Sequence, residues 1–278
     1  MCIRDSSPSL SVTESRDGGV LVYRHAGCAQ KDVIGALQGL GLWPGNSNWE
    51  PKPVRAAPQD DREETVRMFI ARSIWTEAAP VESSAYLEKR GITLPIPATV
   101  RFHRALKHPA DGRVHPALVF AIQDPRGRIT GVQRIFLNDS EDWKAGVTPA
   151  KMTLGVLGEG AVRFGDAEEH VGLAEGPETA LSAMQMFGLP VWCSCGAARM
   201  KRVKFPPSVK TVHIFADAGE IGDKCARDAM KVFQERELLV AMRMPAKGDW
   251  NDVLQQIMGE GNGQANAART HPPTQEDL

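Results

Sequence analysis

VGLAEGPETALSAMQMFGLPVWCSC, residues 171–195, decides the architecture. A short apolar run ends on an acid, Glu175. PETALSAMQMFG then opens on a proline, repeats apolar residues at helical spacing and stops at Gly188. LPVWCSC returns to a strand. The same grammar recurs downstream: TVHIFAD (211–217) is a strand, EIGDKCARDAMKVFQERE (220–237) a helix, LLVAMRM (238–244) a strand and DWNDVLQQIM (249–258) a helix. Strands alternating with helices imply parallel βαβ units with right-handed crossovers, hence an α/β fold.

Upstream the pattern changes. TVRFH (99–103), ALVFAIQD (117–124) and ITGVQRIFL (129–137) alternate and are separated by turn residues, which predicts a small antiparallel sheet. Residues 63–90 are helical in pattern, closed by Gly91. Residues 1–43 read as a small unit: a hairpin around RDGG (16–19), then an amphipathic helix carrying Val33, Ile34, Leu37 and Leu40 on one side. The division expected is therefore 1–43, a linker over 44–62, an α+β subdomain over 63–165, an α/β domain over 166–258 and a disordered tail over 259–278.

Bulk properties exclude several classes. The 278 residues carry 33 Lys plus Arg against 34 Asp plus Glu, a net charge of -1, so any nucleic-acid contact must come from local patches. No apolar run approaches the ~20 residues that span a bilayer, and the N-terminus lacks the blocks of a signal peptide. Five cysteines at scattered spacings do not make a disulfide framework, and a reducing cytoplasm is the expected compartment.

Acids stand where the strands of the α/β part end: Glu175, Asp217, and then Asp249 and Asp252 in KGDWND (247–252). In an open parallel sheet the ligand crevice lies beyond those ends. Carboxylates grouped there suit magnesium, a hard ion that takes one or two of them together with waters and substrate phosphates. Taken singly, each acid also reads as a helix cap. Glu175 fits that reading least, because Glu178 already supplies the first turn of its helix.

LAEGPETALSA, IFADAGEIGDKCA and KGDWNDVL together resemble the Toprim domain shared by bacterial-type primases, topoisomerases and some nucleases. More narrowly they resemble the primase-like Toprim proteins of phages, plasmids and integrated elements. YLEKRGI, VRFH, HPALVFAIQDPRGRITGVQRIFL and PAKMTLG are similar to the segment preceding Toprim in that group, so the likeness runs from about residue 63 to 255. It implies that Glu175 is the acid/base or metal-binding glutamate. It also implies that Asp217 is the first acid of a D-x-D pair holding Mg2+ or Mn2+. The second acid of that pair falls on Gly219, a departure that weakens the metal site; Glu220 or Asp223 could supply an oxygen from the next turn.

The N-terminal unit resembles the second half of a primase zinc ribbon. Cys28 matches its last ligand, whereas Arg24 stands where its cysteine partner belongs. A Zn2+ site would need an untruncated form, since four ligands cannot be assembled here. MCIRDS resembles translated adapter read-through more than native protein, which leaves open whether native residues precede Ser7. Cys193 and Cys195 read as small residues filling a strand end.

Two basic stretches, 101–115 and 199–210, could track a phosphate backbone or be solvated faces. Arg199, Lys201 and Arg202 lie in the second, and Lys247 precedes the last acid pair. Arg134 and Lys151 sit in the pre-Toprim segment, where the resemblance implies contacts to template or nucleotide phosphates. The expected activity is magnesium-dependent synthesis of RNA primers from ribonucleoside triphosphates on single-stranded DNA. No G-x-x-x-x-G-K-[ST] occurs, so a replicative helicase would act in trans. The alternatives are a Toprim nuclease and a catalytically weakened nucleic-acid-binding module.

Overall fold

The computed structural model describes residues 10–14, 20–24, 30–41 and 61–269. The chain forms two compact units, Met1–Pro58 and Gln59–Leu278. In the first, β1 (Leu10–Glu14) and β2 (Val20–Arg24) pair antiparallel with Leu10 opposite Arg24, the hairpin the sequence predicts. The helix α1 (Gln30–Gly39) half-buries Val33, Ile34 and Leu37 but leaves Leu40 exposed. Cys28 and most of the expected linker lie outside the described residues.

The second unit begins with α2 (Asp61–Glu77), β3 (Ala79–Pro80) and α3 (Ala85–Glu88). The antiparallel strands follow: β4 (Val100–Lys107), β5 (Val114–Gln123), β6 (Ile129–Phe136), β7 (Lys151–Gly155) and β8 (Ala161–Phe164). The βαβ part comprises β9 (His170–Ala174), α4 (Pro177–Phe187), β10 (Val191–Cys193), β11 (Thr211–Phe215), α5 (Glu220–Glu235), β12 (Leu239–Arg243) and α6 (Trp250–Arg269). A 3-10 segment, Ala197–Arg202, links β10 to β11. The last helix thus continues past residue 258, into the segment expected to be disordered; residues 270–278 lie outside the described set.

The expected α/β class is observed. One ten-stranded sheet runs β12-β11-β9-β10-β8-β5-β4-β3, with β6 on β5 and β7 on β6. β12, β11, β9 and β10 are mutually parallel, and β8 joins them antiparallel to β10. β5 forks: β4 pairs with it as far as Phe120, and β8 then takes over at Ile122 and Gln123. The antiparallel and parallel regions are therefore one continuous sheet rather than two.

Burial explains these elements. Val171–Ala174 of β9 are fully buried because the sheet is covered on both faces. α4, α3 and α6 pack with Val162, Phe164, Ala174, Val191 and Phe215 on one face. On the other, Ala226, Ala229 and Phe233 of α5 meet Val171, Leu173, Val212 and Ile214. Ala71 and Ile74 of α2 cover Val119, Val132 and Phe136 in a third cluster. Gly172 is required within β9: a Cβ there would lie 2.7 Å from Val191 Cγ2 and 2.8 Å from the Phe215 ring. From β9 the chain crosses by α4 to β10 on one side, then returns to β11 on the other. This reversal opens a crevice beyond the carboxyl ends of β9 and β11.

Candidate functional site

Glu175 is the first residue past β9 and is half-buried. Its carbonyl accepts hydrogen bonds from the Cys193 thiol (3.2 Å) and the Gly196 N–H (3.2 Å), which ties the loop after β10 to the end of β9. Asp217 follows β11 and is also half-buried, accepting from Thr179 Oγ1 at 3.4 Å. Burial pushes its carboxyl up to about 6, and the charges of Glu175 and Asp249 add to the rise. The Thr179 hydroxyl and Lys151 oppose it. Acids that follow two other strands, Glu175 and Asp249, thus act on Asp217 by their charge.

Gly222 allows the turn after β11 to close. A Cβ there would stand 2.2 Å from the Asp217 carbonyl oxygen. Gly219, where a second acid would complete D-x-D, has φ +116, a conformation that favours glycine; the space beside it is open. Neither substitute oxygen is drawn in. Asp223 is paired with Arg227 at 2.8 Å, and Glu220 is exposed in the first turn of α5.

Asp249 and Asp252 form a reciprocal cap on α6. Asp249 Oδ1 accepts from the N–H groups of Asn251 (2.7 Å) and Asp252 (2.9 Å), while Asp252 Oδ2 accepts from Asp249 N–H (3.1 Å). For Asp252 the capping reading holds. Asp249 caps and also faces Asp217. The loop carrying it is pinned by the Ala218 N–H, which donates to the Gly248 carbonyl.

Glu178 stands in the first turn of α4, as its place in the sequence indicates, yet it is 4% exposed and sits at the centre of a polar cluster. Tyr86 Oη donates to it at 2.9 Å, Lys144 Nζ lies at 2.9 Å and Lys151 Nζ at 3.5 Å. Burial alone would raise its carboxyl, but Lys151 and Lys144 more than offset this and hold it at about 2. Lys151 is lowered by burial, yet Glu178 and, more weakly, Glu175 keep it above the ordinary lysine value. Lys151 Nζ also lies 3.2 Å from where a Gly176 Cβ would be, which places the ammonium against the turn between Glu175 and α4. Of the expected basic residues, Lys151 is the one brought to the acids, and Lys144 was not foreseen.

The others are placed differently. Arg134 is 6% exposed, on the same face of β6 as Val132 and Phe136, and away from Gln133, which meets the Cys193 thiol. Its guanidinium lies 5.6 Å from the Phe136 ring centroid and donates to Thr153 O at 3.4 Å, and burial lowers its pKa. It is not positioned with the acids as a phosphate ligand. Arg199 braces loops, donating to the carbonyls of Ser194, Gly158 and Gly160. Lys201 reaches Asp228 on α5 at 3.4 Å, and Arg202 is exposed beside it. Lys247 is exposed in the loop before Asp249. In the first basic stretch, Arg101, His103, His108 and His115 are engaged internally.

Among the described residues no three of His, Cys, Asp and Glu are grouped so as to hold a metal ion by themselves. Magnesium does not need that, since it takes one or two carboxylates and fills its remaining positions with water and phosphate oxygens. Glu175 and Asp217, mutually repelling and half-buried, fit such a role. A closed protein cage would not.

No described helix is long and apolar enough to cross a membrane. Residues 170–260 match the family model of the Toprim domain, and residues 66–164 match that of a domain of unknown function, DUF7146. No curated protein sequence matches the chain. Among solved structures it is similar to a DNA primase domain from Pseudomonas aeruginosa at 16% identity and TM-score 0.39. That match covers 55% of this chain and 52% of the other, so this chain spans about half its length. The Escherichia coli primase catalytic core matches at 14% identity and TM-score 0.44, over 70% and 76% of the two chains. The zinc-binding and RNA polymerase domains of the Aquifex aeolicus primase match at 14% and TM-score 0.44, over 94% and 79%. The C-terminal part of the chain is a Toprim domain, as the sequence resemblance implied.

Proposed function

We propose that the chain is a primase-type nucleotidyltransferase that joins ribonucleoside triphosphates on single-stranded DNA, in the replication of a phage, plasmid or integrated element. The observation that supports this most is the meeting, at the carboxyl ends of parallel strands, of Glu175, Asp217 and Asp249 with Lys151 alongside. Glu175 and Asp217 would hold Mg2+ or Mn2+ together with substrate phosphates, and the ion would neutralise charge on those phosphates. Lys151, its ammonium paired with Glu178 and close to Gly176, would hold a phosphate beside Glu175. In the alternative role, Glu175 would take the proton from an attacking hydroxyl rather than hold the ion. Asp217, with a carboxyl near 6, binds a proton below that pH and a cation more readily above it. Lys247 and Arg202, both exposed, would contact strand phosphates. Zn2+ would belong only to a longer N-terminal unit, and a helicase would act in trans.

A second reading has a specific observation behind it. Gly219 leaves the site one acid short of D-x-D, which favours a weakened module that binds nucleic acid, or a nuclease using the same carboxylates. The deciding experiment incubates the protein with magnesium, single-stranded template and labelled ribonucleotides, in parallel with supercoiled plasmid. Ladders of new oligomers, absent in Glu175→Gln and Asp217→Asn, are the expected result. Nicked plasmid without ladders would establish the nuclease, and neither product would leave the binding module.

A further inference from the structure

β9, β11 and β12 carry a second polar cluster, on the sheet face that α4 and α6 cover only in part. His170, His213 and Arg243 share that face by strand alternation, together with Thr211, Leu239 and Ala241. His213 pairs in register with Gly172 and Ala241, so His170 and Arg243 lie on its two diagonals. The contacts are direct: Arg243 Nη1 is 2.9 Å from His213 Nδ1, and His213 Nε2 is 3.4 Å from His170 Nδ1. The guanidinium also lies 5.4 Å from the Phe187 centroid and 6.0 Å from that of Phe215.

Hydrogen-bond accounting gives this row a direction. Arginine only donates, so His213 Nδ1 accepts and its proton sits on Nε2. That proton is donated to His170 Nδ1, which leaves the His170 Nε2–H facing outward. The exposed end of the row and the remaining guanidinium N–H groups are therefore all donors. Among the described residues no carboxylate pairs with any of the three, and none of the residues sharing the face is acidic. His213 is pushed below the ordinary histidine value by burial, by Arg243 and by His170, with no acid to relieve it. From β9 it faces His170 and from β12 Arg243, whose guanidinium lies against the neutral Phe187 ring of α4. Solvent-accessible donors, one of them a guanidinium, with no carboxylate paired to them suit an anion.

We propose that His170, His213 and Arg243 form a phosphate-binding site separate from the carboxylate crevice, one that takes a backbone phosphate of a single-stranded nucleic acid. The exposed edge of Phe187 offers the neighbouring base a surface to stack on. Free phosphate has the same chemistry, and the experiment separates the two sources.

The test titrates the whole chain, first with inorganic phosphate while following the histidine ring signals by NMR at pH 6. Second, it titrates with a labelled thymidine oligomer at several salt concentrations, for the parent, Arg243→Met and His213→Gln. The expected result is a phosphate-dependent shift of the His170 and His213 signals. With it, the slope of log Kd against log[salt] should be shallower by ~0.7 in Arg243→Met, as when a protein neutralises one phosphate fewer on a single strand. Ala241→Glu, which sets an acid directly opposite His213, should abolish the shift even if Arg243→Met fails to fold. Shifts with phosphate but an unchanged oligomer slope would overturn the strand assignment in favour of a free phosphate. Unmoved histidine signals together with unchanged slopes would overturn the site. Neither readout requires polymerisation, so failure here is distinct from failure of the proposed nucleotidyl transfer.

Discussion

Replacing Glu178 by glutamine removes one charge from a cluster that two lysines depend on. The side chain is 4% exposed, accepts from Tyr86 Oη and lies 2.9 Å from Lys144 Nζ and 3.5 Å from Lys151 Nζ. Its carboxyl is held at about 2 against an ordinary 4.5. At ~1.36 kcal/mol for each unit of pKa, that difference corresponds to about 3 kcal/mol, within the ~3–5 kcal/mol range for breaking a buried ion pair. Glutamine can still accept from Tyr86, but it leaves Lys144 without its partner and Lys151 with only the weaker counter-charge of Glu175. Because the folded-state value lies below the unfolded one, the contribution is complete above about 4.5 and fades as pH falls toward about 2. Urea denaturation of parent and Glu178→Gln should therefore differ by about 3 kcal/mol at pH 7 and by about half that at pH 3. In a thermal scan at neutral pH the loss corresponds to a Tm lower by about 6–12 °C for a unit of this size. A difference below ~1 kcal/mol at pH 7, or one equal at both pH values, would refute the reasoning. Replacing Glu178, Lys144 and Lys151 together by apolar residues of similar size should cost less than Glu178→Gln alone, since no buried charge is stranded.

Asp217→Asn should stabilise the metal-free protein at pH 8 by about 1 kcal/mol, a figure reduced for solvent access to a half-buried group. The sign follows from a raised carboxyl: its stabilising contribution is complete below 3.8 and lost as pH rises through about 6, so the variant's advantage should vanish near pH 4 in calorimetry. Gly222→Ala should cost at least ~1–3 kcal/mol, because its methyl would enter the Asp217 carbonyl, and binding of divalent cations should fall with it. Gly219→Asp and Gly219→Ala should each lose about 1–3 kcal/mol to the backbone conformation at φ +116. If the missing acid matters, only the aspartate variant tightens magnesium binding in isothermal titration; equal affinities in parent and variant would remove the argument for a weakened site.

What the sequence made readable was local. The βαβ pattern, the closure of α4 at Gly188 and the acids following β9 and β11 each follow from a few adjacent residues. The paired cap of Asp249 and Asp252 is likewise written in D-x-x-D spacing. The polar cluster around Glu178 was not, because its partners come from distant segments; Tyr86 lies 92 residues away. Arg134 was misplaced for a different reason. Its strand is buried on both faces, so alternation gave no sign that an arginine would point inward. The row from His170 to Arg243 depends on the order of three strands, which periodicity alone does not fix. The forked β5 is non-local in the same way, and the expected boundary at residue 165 treated as separate two regions that share one sheet.

That fork bears on how the protein can be cut. A recombinant fragment beginning at residue 166 would keep every strand of the Toprim part but strip β8 from β10. β10 would then present a bare row of amide and carbonyl groups on Val191, Trp192 and Cys193, an adhesive margin that invites chains to stack on one another. Starting the fragment before Ala161 would keep β10 covered and bare only the far edge of β8, which meets β5 at two residues, so it should precipitate less readily than the shorter one.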